Sequence, residues 1–311
     1  MTKKIILANP RGFCAGVDRA IAIVEKALDK YGAPIYVRHE VVHNKYVVDN
    51  LKNRGAIFIE EIKDVPENSI LIYSAHGVPL SVREESKSKN LKVIFDATCP
   101  LVSKVHVEIK NLHRQNYTIL MIGHKGHPEV EGTMGQVSGD IYLIETEADI
   151  AKLPLARDIA KIAVVTQTTL SVDETKSIVD NLKAAYPNLR LPKTEDICYA
   201  TQNRQDAVKA MAKICDILIV IGSKNSSNSN RLKELSEHLG VKAYLIDFAT
   251  EINKDWLNNV NCVGVTAGAS APEVLVEGVI EHLKKYDYNT IDTLTTVKEH
   301  MIFALPSELR T

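Results

Sequence analysis

Three cysteines in this chain share a setting that suits thiolate chemistry. Cys14 stands in Asn9-Pro10-Arg11-Gly12-Phe13-Cys14-Ala15-Gly16-Val17, after the apolar run Ile5, Ile6, Leu7, Ala8 and a turn marked by Pro10 and Gly12; a helix is expected from about Val17. Cys99 follows Val93-Ile94-Phe95-Asp96-Ala97-Thr98 and leads into the amphipathic pattern Leu101, Val102, Val105, Ile109, Leu112. Cys198 follows Asp196-Ile197 and precedes Ala207, Val208, Met211 and Ile214. A thiol at a helix start sits beside the positive end of the helix dipole, which favours the thiolate, the form that attacks or binds metal. The three lie 85 and 99 residues apart, as one site fed by three modules would require. No Cys-x-x-Cys occurs, so neither a zinc ribbon nor a bacterial ferredoxin run is present, and zinc and an iron–sulfur cluster both stay open. Cys215 and Cys262 lie in or beside apolar runs and read as small core residues.

Two further stretches carry chemistry. His124-x-x-His127-Pro128-Glu129 has metal-ligand residue types, although on a loop the helical spacing logic of zinc peptidases does not apply. A carboxyl beside a histidine in a dry pocket is also a general acid, its pKa raised by desolvation; a plain surface Gly-His turn is the third reading. Ser226-Ser227-Asn228-Ser229-Asn230 opens the helix pattern Leu232, Leu235, Leu239 with more small polar residues than one cap needs, and suits a phosphate. Ser270 offers a second helix start, as an N-cap. There is no Gly-x-x-x-x-Gly-Lys-Ser/Thr and no Gly-x-Gly-x-x-Gly after a strand, which points away from nucleotides and towards a smaller phosphorylated ligand.

The elements that must position these residues are short and continuously apolar. Runs at 71–73, 118–122, 162–165, 217–221 and 262–265 read as strands of a parallel sheet buried on both faces. Ser81-x-x-Glu84, Ser171-x-x-Glu174 and Ser270-x-x-Glu273 fit capping boxes, and Gly32 and Gly240 fit helix C-caps. The class is α/β. In such sheets ligands bind beyond the carboxyl ends of the strands. Those ends read Ser74-Ala75-His76-Gly77, Gly123-His124-Lys125-Gly126-His127, Thr166-Gln167-Thr168-Thr169, Gly222-Ser223-Lys224-Asn225-Ser226 and Thr266-Ala267-Gly268-Ala269-Ser270, to which Arg38-His39-Glu40-Val41-Val42-His43-Asn44 is added. Similar α/β modules are expected at 1–97, 98–195 and 196–285, each with a small, mostly parallel sheet, and a C-terminal extension at 286–311.

The 311 residues carry 45% hydrophobic and 25% charged side chains, as soluble globular chains do. A net charge of −1 argues against nucleic-acid binding. No apolar run approaches a membrane span, and the N-terminus lacks a signal or transit pattern, so a cytoplasmic protein is expected, with no membrane partner. Five widely spaced cysteines in that compartment suit metal or catalytic thiols better than a disulfide frame.

Taken together and in order, these motifs closely resemble the 4-hydroxy-3-methylbut-2-enyl diphosphate reductases of LytB type, the terminal enzymes of the non-mevalonate isoprenoid pathway. The resemblance covers essentially residues 3–285 and rests on the segments at 9–17, 38–44, 74–78, 96–102, 126–133, 166–171, 222–229 and 266–270. It implies three α/β modules arranged as a trefoil around one four-iron four-sulfur cluster. Cys14, Cys99 and Cys198 would hold three irons, leaving one open for the substrate's hydroxyl oxygen. Two electrons and two protons would then expel water and give isopentenyl and dimethylallyl diphosphates. Glu129 matches the family's proton donor, with Thr168 linking it to the substrate hydroxyl. His43, His76, His127, Ser226, Ser227, Asn228 and Ser270 match substrate-contacting positions, most of them around the diphosphate. The implied electron donor is a small acidic ferredoxin or flavodoxin. The competing readings are a zinc-dependent hydrolase of a small phosphorylated substrate and a non-catalytic redox sensor with a labile cluster.

Overall fold

The structure, a computed structural model, describes residues 3–310. In chain order it runs β1 (Lys4–Asn9), α1 (Ala15–Tyr31), β2 (Ile35–Arg38), α2 (Lys45–Asn53), β3 (Ala56–Ile59), β4 (Ile70–Tyr73), α3 (Leu80–Ser88), β5 (Val93–Asp96) and α4 (Pro100–Arg114). There follow β6 (Thr118–Ile122), α5 (Pro128–Met134), β7 (Ile141–Ile144), α6 (Glu147–Ile150), β8 (Ile162–Thr166), α7 (Val172–Ala185), β9 (Leu189–Arg190) and α8 (Tyr199–Met211). The last elements are β10 (Ile217–Ile221), α9 (Ser227–His238), β11 (Lys242–Ile246), β12 (Cys262–Ala267), α10 (Glu273–Lys284) and β13 (Thr290–Thr295). The continuously apolar runs are all strands, and β4, β6, β8, β10 and β12 are buried along their whole length. That is the pattern of strands covered on both faces.

The chain divides into two compact units. The first comprises residues up to Asp18, Val42–Asn50 and Tyr199–Ile302. Its sheet has five parallel strands in the order β11-β10-β12-β1-β13. One face is packed by Ile219, Val265, Val276 and Val279 with their neighbours, the other by Val208, Met211, Leu218, Val220 and Leu232. Cys215 and Cys262 lie in this second layer, as small core residues.

The second unit comprises Arg19–Val41, Leu51–Cys198 and Phe303 onward. It holds two four-stranded parallel sheets, β3-β2-β4-β5 and β7-β6-β8-β9. Leu71 and Tyr73 centre the core of the first; Leu120, Val164 and Leu182, and on the other face Ile119, Met121 and Ile109, centre the second.

Segment 1–97 holds the whole of the sheet β3-β2-β4-β5, and just one of its strands joins another sheet. Its first strand, β1, pairs with β12 on one side and with β13 on the other. β13, in the extension after residue 285, is a strand the apolar pattern did not announce: in Thr290-Ile291-Asp292-Thr293-Leu294-Thr295 only Leu294 is even half-buried. An edge strand needs backbone partners more than an apolar face.

The expected helix boundaries hold in part. Ser171 and Ser226 are N-caps, accepting from the N–H of Glu174 and of Ser229 at 3.3 Å each. Gly32 and Gly240 close α1 and α9 with φ of +77° and +83°. Ser81 and Ser270 are not caps. Pro79 and Pro272 occupy those N-cap positions, so Ser81 lies inside α3, and Ser270 is released for another contact. Among the described residues no helix is long and apolar enough to cross a membrane.

Candidate functional site

In the second unit a continuous string of contacts joins the expected residues. Cys99 is the N-cap of α4, its helix entered through Pro100, and its N–H donates to Ala75 O at 2.9 Å. Ala75 precedes His76, which lies beyond the carboxyl end of β4. The His76 ring stands edge-on to that of His127, centroids 5.8 Å apart. The loop bearing His76 is fixed to α5 by Leu80 N–H on Gly135 O (2.9 Å) and by the Gln136 side-chain amide on Val78 O (2.8 Å).

His127 is not on a free loop. It is the N-cap of α5, its Nδ1 accepting from Glu129 N–H at 3.1 Å. That cap seats Glu129 in the first helical turn with its side chain turned inward, 3% exposed. Its Oε1 accepts from Thr168 N–H at 2.6 Å, and Thr168 O accepts from Cys198 N–H at 3.0 Å. Glu129, Thr168 and Cys198 are thus consecutive links of one chain of hydrogen bonds. Burial pushes the Glu129 carboxyl up to about 7, with the hydrogen bonds from Thr168 opposing and the Asp196 charge adding. Such a group holds a proton near neutrality inside a dry site, as a proton donor must.

In the first unit the anion-binding candidates converge. Cys14 lies at the start of α1, its N–H donating to Ala269 O at 3.3 Å, and its sulfur accepts from the N–H groups of Gly16 and Val17. Burial raises the thiol, while the Arg204 charge opposes that rise and the Glu299 charge adds to it. Next along, Ser270 Oγ donates to His43 O (2.8 Å), and the Asn225 amide lies 3.4 Å from His43 Nδ1. Asn228 Oδ1 accepts from Ala269 N–H at 2.9 Å, which fixes the first turn of α9 to the loop after β12. That approach depends on Gly268, because a Cβ there would fall 2.0 Å from Ser229 Oγ. Ser226, Ser227, Asn228, Ser270 and His43 therefore share one neighbourhood, at the positive end of a 12-residue helix.

The cysteines divide between the units, Cys14 in the first and Cys99 and Cys198 in the second. All five cysteines are thiols. Among the described residues no three His, Cys, Asp or Glu side chains are gathered into a ready-made metal cage. The chemistry of the donor set nevertheless fits an iron–sulfur cluster: three half-buried thiols, each at a helix start. His124, the second residue after β6, is not drawn into a cage with His127 and Glu129 among the described residues.

Several residues of the site lay outside the sequence reading. Asp196, its side chain fully buried, accepts from Thr166 N–H at 3.1 Å and pairs with Lys104 Nζ at 3.4 Å, so it pins the strand end before Thr168 to the loop before Cys198. His106, buried on α4 behind Gly77, is kept neutral, burial pushing it down to about 4. Arg204 is wholly buried behind the Cys14 loop. The one signal for any of them is a polar side chain within an apolar stretch, visible for His106 between Val105 and Val107; Arg204 stands among Gln202, Asn203, Gln205 and Asp206 and shows none.

Thiols at helix starts, a buried carboxyl hydrogen-bonded into the loop before Cys198 and a helix N-terminus rich in hydroxyls and amides are residue types suited to an oxidoreductase. The LytB protein family model matches residues 5–284, and the chain belongs to that family. It is 61% identical over 310 residues to a 4-hydroxy-3-methylbut-2-enyl diphosphate reductase of Chromobacterium violaceum, covering 100% of this chain and 99% of that one. It is 57% identical to the like-named enzyme of Actinobacillus succinogenes, over 99% and 98% of the two chains. Among solved structures, the E-1-hydroxy-2-methyl-but-2-enyl-4-diphosphate reductase from Plasmodium falciparum superposes with a TM-score of 0.96 at 41% identity, over 99% of this chain and 97% of that one. The hydrolase reading finds no counterpart among these relatives.

Proposed function

We propose that the protein reduces (E)-4-hydroxy-3-methylbut-2-enyl diphosphate to isopentenyl and dimethylallyl diphosphates. The substrate's C4–OH bond breaks, two electrons and two protons enter, and water leaves. The observation that carries this reading is the hydrogen-bond string Glu129–Thr168–Cys198, which sets a protonated acid one residue away from a cluster-type thiol.

Cys14, Cys99 and Cys198 would hold one four-iron four-sulfur cluster, one ligand from each of the segments 1–97, 98–195 and 196–285. When bound, the cluster supplies electrons to the allylic carbon–oxygen bond. The chain's own residues do the rest. The α9 N-terminus, with Ser226, Ser227 and Asn228, and Ser270 and His43 beside it, binds the diphosphate through N–H and O–H donors aimed at its oxygens. His76 and His127 add ring N–H donors for the same anion. Glu129 holds a proton on its carboxyl and releases it to the departing hydroxyl by way of the Thr168 hydroxyl, because a hydroxide leaves far more slowly than water. The buried walls around Glu129 exclude solvent, which keeps the acid protonated and the proton path private. A small acidic ferredoxin or flavodoxin delivers the electrons, and the reaction takes place in the cytoplasm, where thiols stay reduced.

The test is iron and acid-labile sulfide per chain, with an absorption spectrum, on protein purified without oxygen. About four of each and a broad band near 400 nm that bleaches on reduction are expected for Cys-ligated iron. Zinc with no sulfide, in protein that also resists cluster reconstitution, overturns the reading.

A further inference from the structure

We propose that the ion pair of the buried Arg204 with the half-buried Glu299 is a positioning element for the Cys14 loop that also sets the reduction potential of the cluster Cys14 helps to hold; the inference rests on the cluster assignment above. Arg204, on α8, is 0% exposed, and its guanidinium is saturated. It donates from Nε and Nη2 to Gly12 O at 3.1 and 2.6 Å, and from Nη2 to Phe13 O at 3.3 Å. Nη1 donates to Ala200 O at 2.9 Å, and the two oxygens of Glu299 accept at 3.0 and 3.4 Å. Asn203 holds the same carboxylate from the side at 2.9 Å. Glu299 comes from the segment after β13, 95 residues away in sequence.

The two carbonyls that Arg204 grips belong to the residues immediately before Cys14. Gly12 takes a left-handed φ of +66°, and a Cβ there would stand 3.0 Å from Ala271 O. Only glycine turns its carbonyl towards the guanidinium in so small a space. The Cys14 loop is therefore held from one side by Arg204 and from the other by the Cys14 N–H on Ala269 O.

Stability alone does not call for a buried guanidinium here, since well-packed apolar residues commonly do as well. Electrostatics gives it a use. Reducing the cluster would add a negative charge, which a nearby cation favours and a nearby anion opposes, and charges of this kind are among the determinants of iron–sulfur potentials. Arg204 holds the carbonyls of Gly12 and Phe13, the two residues before Cys14, and Glu299 is paired to the same guanidinium. Neither residue touches the groups assigned to substrate or proton transfer, so they act through Cys14 rather than on the reacting atoms.

The experiment is a redox titration of the reconstituted holoenzyme, together with the rate at which a chelator strips its iron. Glu299→Gln keeps size and an acceptor oxygen but removes the anion; its potential should rise. Arg204→Met removes the cation; its potential should fall. Arg204→Lys keeps the charge but loses the fork that grips two carbonyls, so its potential should stay close to the wild type while iron is lost severalfold faster. Potentials of Glu299→Gln and Arg204→Met that do not move, or that move in the same direction, overturn the inference. Should Arg204→Met fail to fold, Glu299→Gln decides alone, and an unmoved or lowered potential overturns it. A wild-type chain that takes up no cluster overturns the cluster assignment and this inference with it; a loaded wild type with unmoved variants overturns this inference only.

Discussion

The Thr168 N–H donates to Glu129 Oε1 at 2.6 Å, and the carbonyl of the same Thr168 accepts from Cys198 N–H at 3.0 Å, so one residue ties the acid to the backbone of the cysteine. If Glu129 supplies the proton, Glu129→Gln preserves the shape and cannot deliver it. Steady-state kinetics should show kcat lowered on the order of 10²–10⁴-fold, with KM and the iron and sulfide content near those of the wild type. Wild-type turnover in this variant would remove Glu129 from the mechanism.

The pH dependence has a definite sign. The Glu129 carboxyl is raised from its ordinary 4.5 to about 7, chiefly by burial, so the folded protein carries this proton up to that pH and loses it above. Activity should therefore fall as pH rises through about 7. The unfolded chain gives up the proton near 4.5, so between 4.5 and about 7 it binds fewer protons than the folded one, and stability declines across that window, by on the order of 3 kcal/mol. Denaturant unfolding of the wild type and of Glu129→Gln at pH 5 and pH 8 checks it: the variant should lack most of the decline.

The anion cradle separates binding from chemistry. Ser226 caps α9 through Ser229 N–H and is assigned to the diphosphate. Ser226→Ala should cost about 1 kcal/mol of stability from the lost cap. Its KM for the diphosphate should rise roughly 10- to 100-fold, the value of a hydrogen bond to a charged group. An unchanged KM would detach this helix end from the substrate.

The cysteines provide their own control. Cys14→Ser, Cys99→Ser and Cys198→Ser should each lose or damage the cluster, read as iron and sulfide per chain after anaerobic reconstitution. Cys215, buried in the core of the first unit beside Cys262, should be dispensable: Cys215→Ala should keep its iron and show only a modest loss of stability. Equal iron loss in all four would mean that it follows damage to the fold and not ligation.

What was legible in the sequence was whatever is local. Cys14 and Cys99 could be placed at helix starts because a Pro or Gly turn lies between an apolar strand and an amphipathic pattern, and the strands were legible because both faces are buried. His127 as a cap was not, and Glu129 as a buried acid stood as one of three readings of its stretch, since α5 has only 7 residues and too few turns to show a period. Ser81 and Ser270 carried capping-box spacing, yet a proline stands at the N-cap in both cases, where its fixed φ is already extended. Arg204 stayed unread because its partners lie 192 and 95 residues away, and β13 because an edge strand without an apolar face leaves almost no pattern.

The central claim is reductive dehydroxylation, and the most direct measurement is product analysis on reconstituted enzyme, without oxygen, given (E)-4-hydroxy-3-methylbut-2-enyl diphosphate and a strong one-electron reductant. The account predicts isopentenyl and dimethylallyl diphosphates with the diphosphate intact, formed only when reductant is present. Release of phosphate without reductant, or an unconsumed substrate on a fully loaded enzyme, would contradict it.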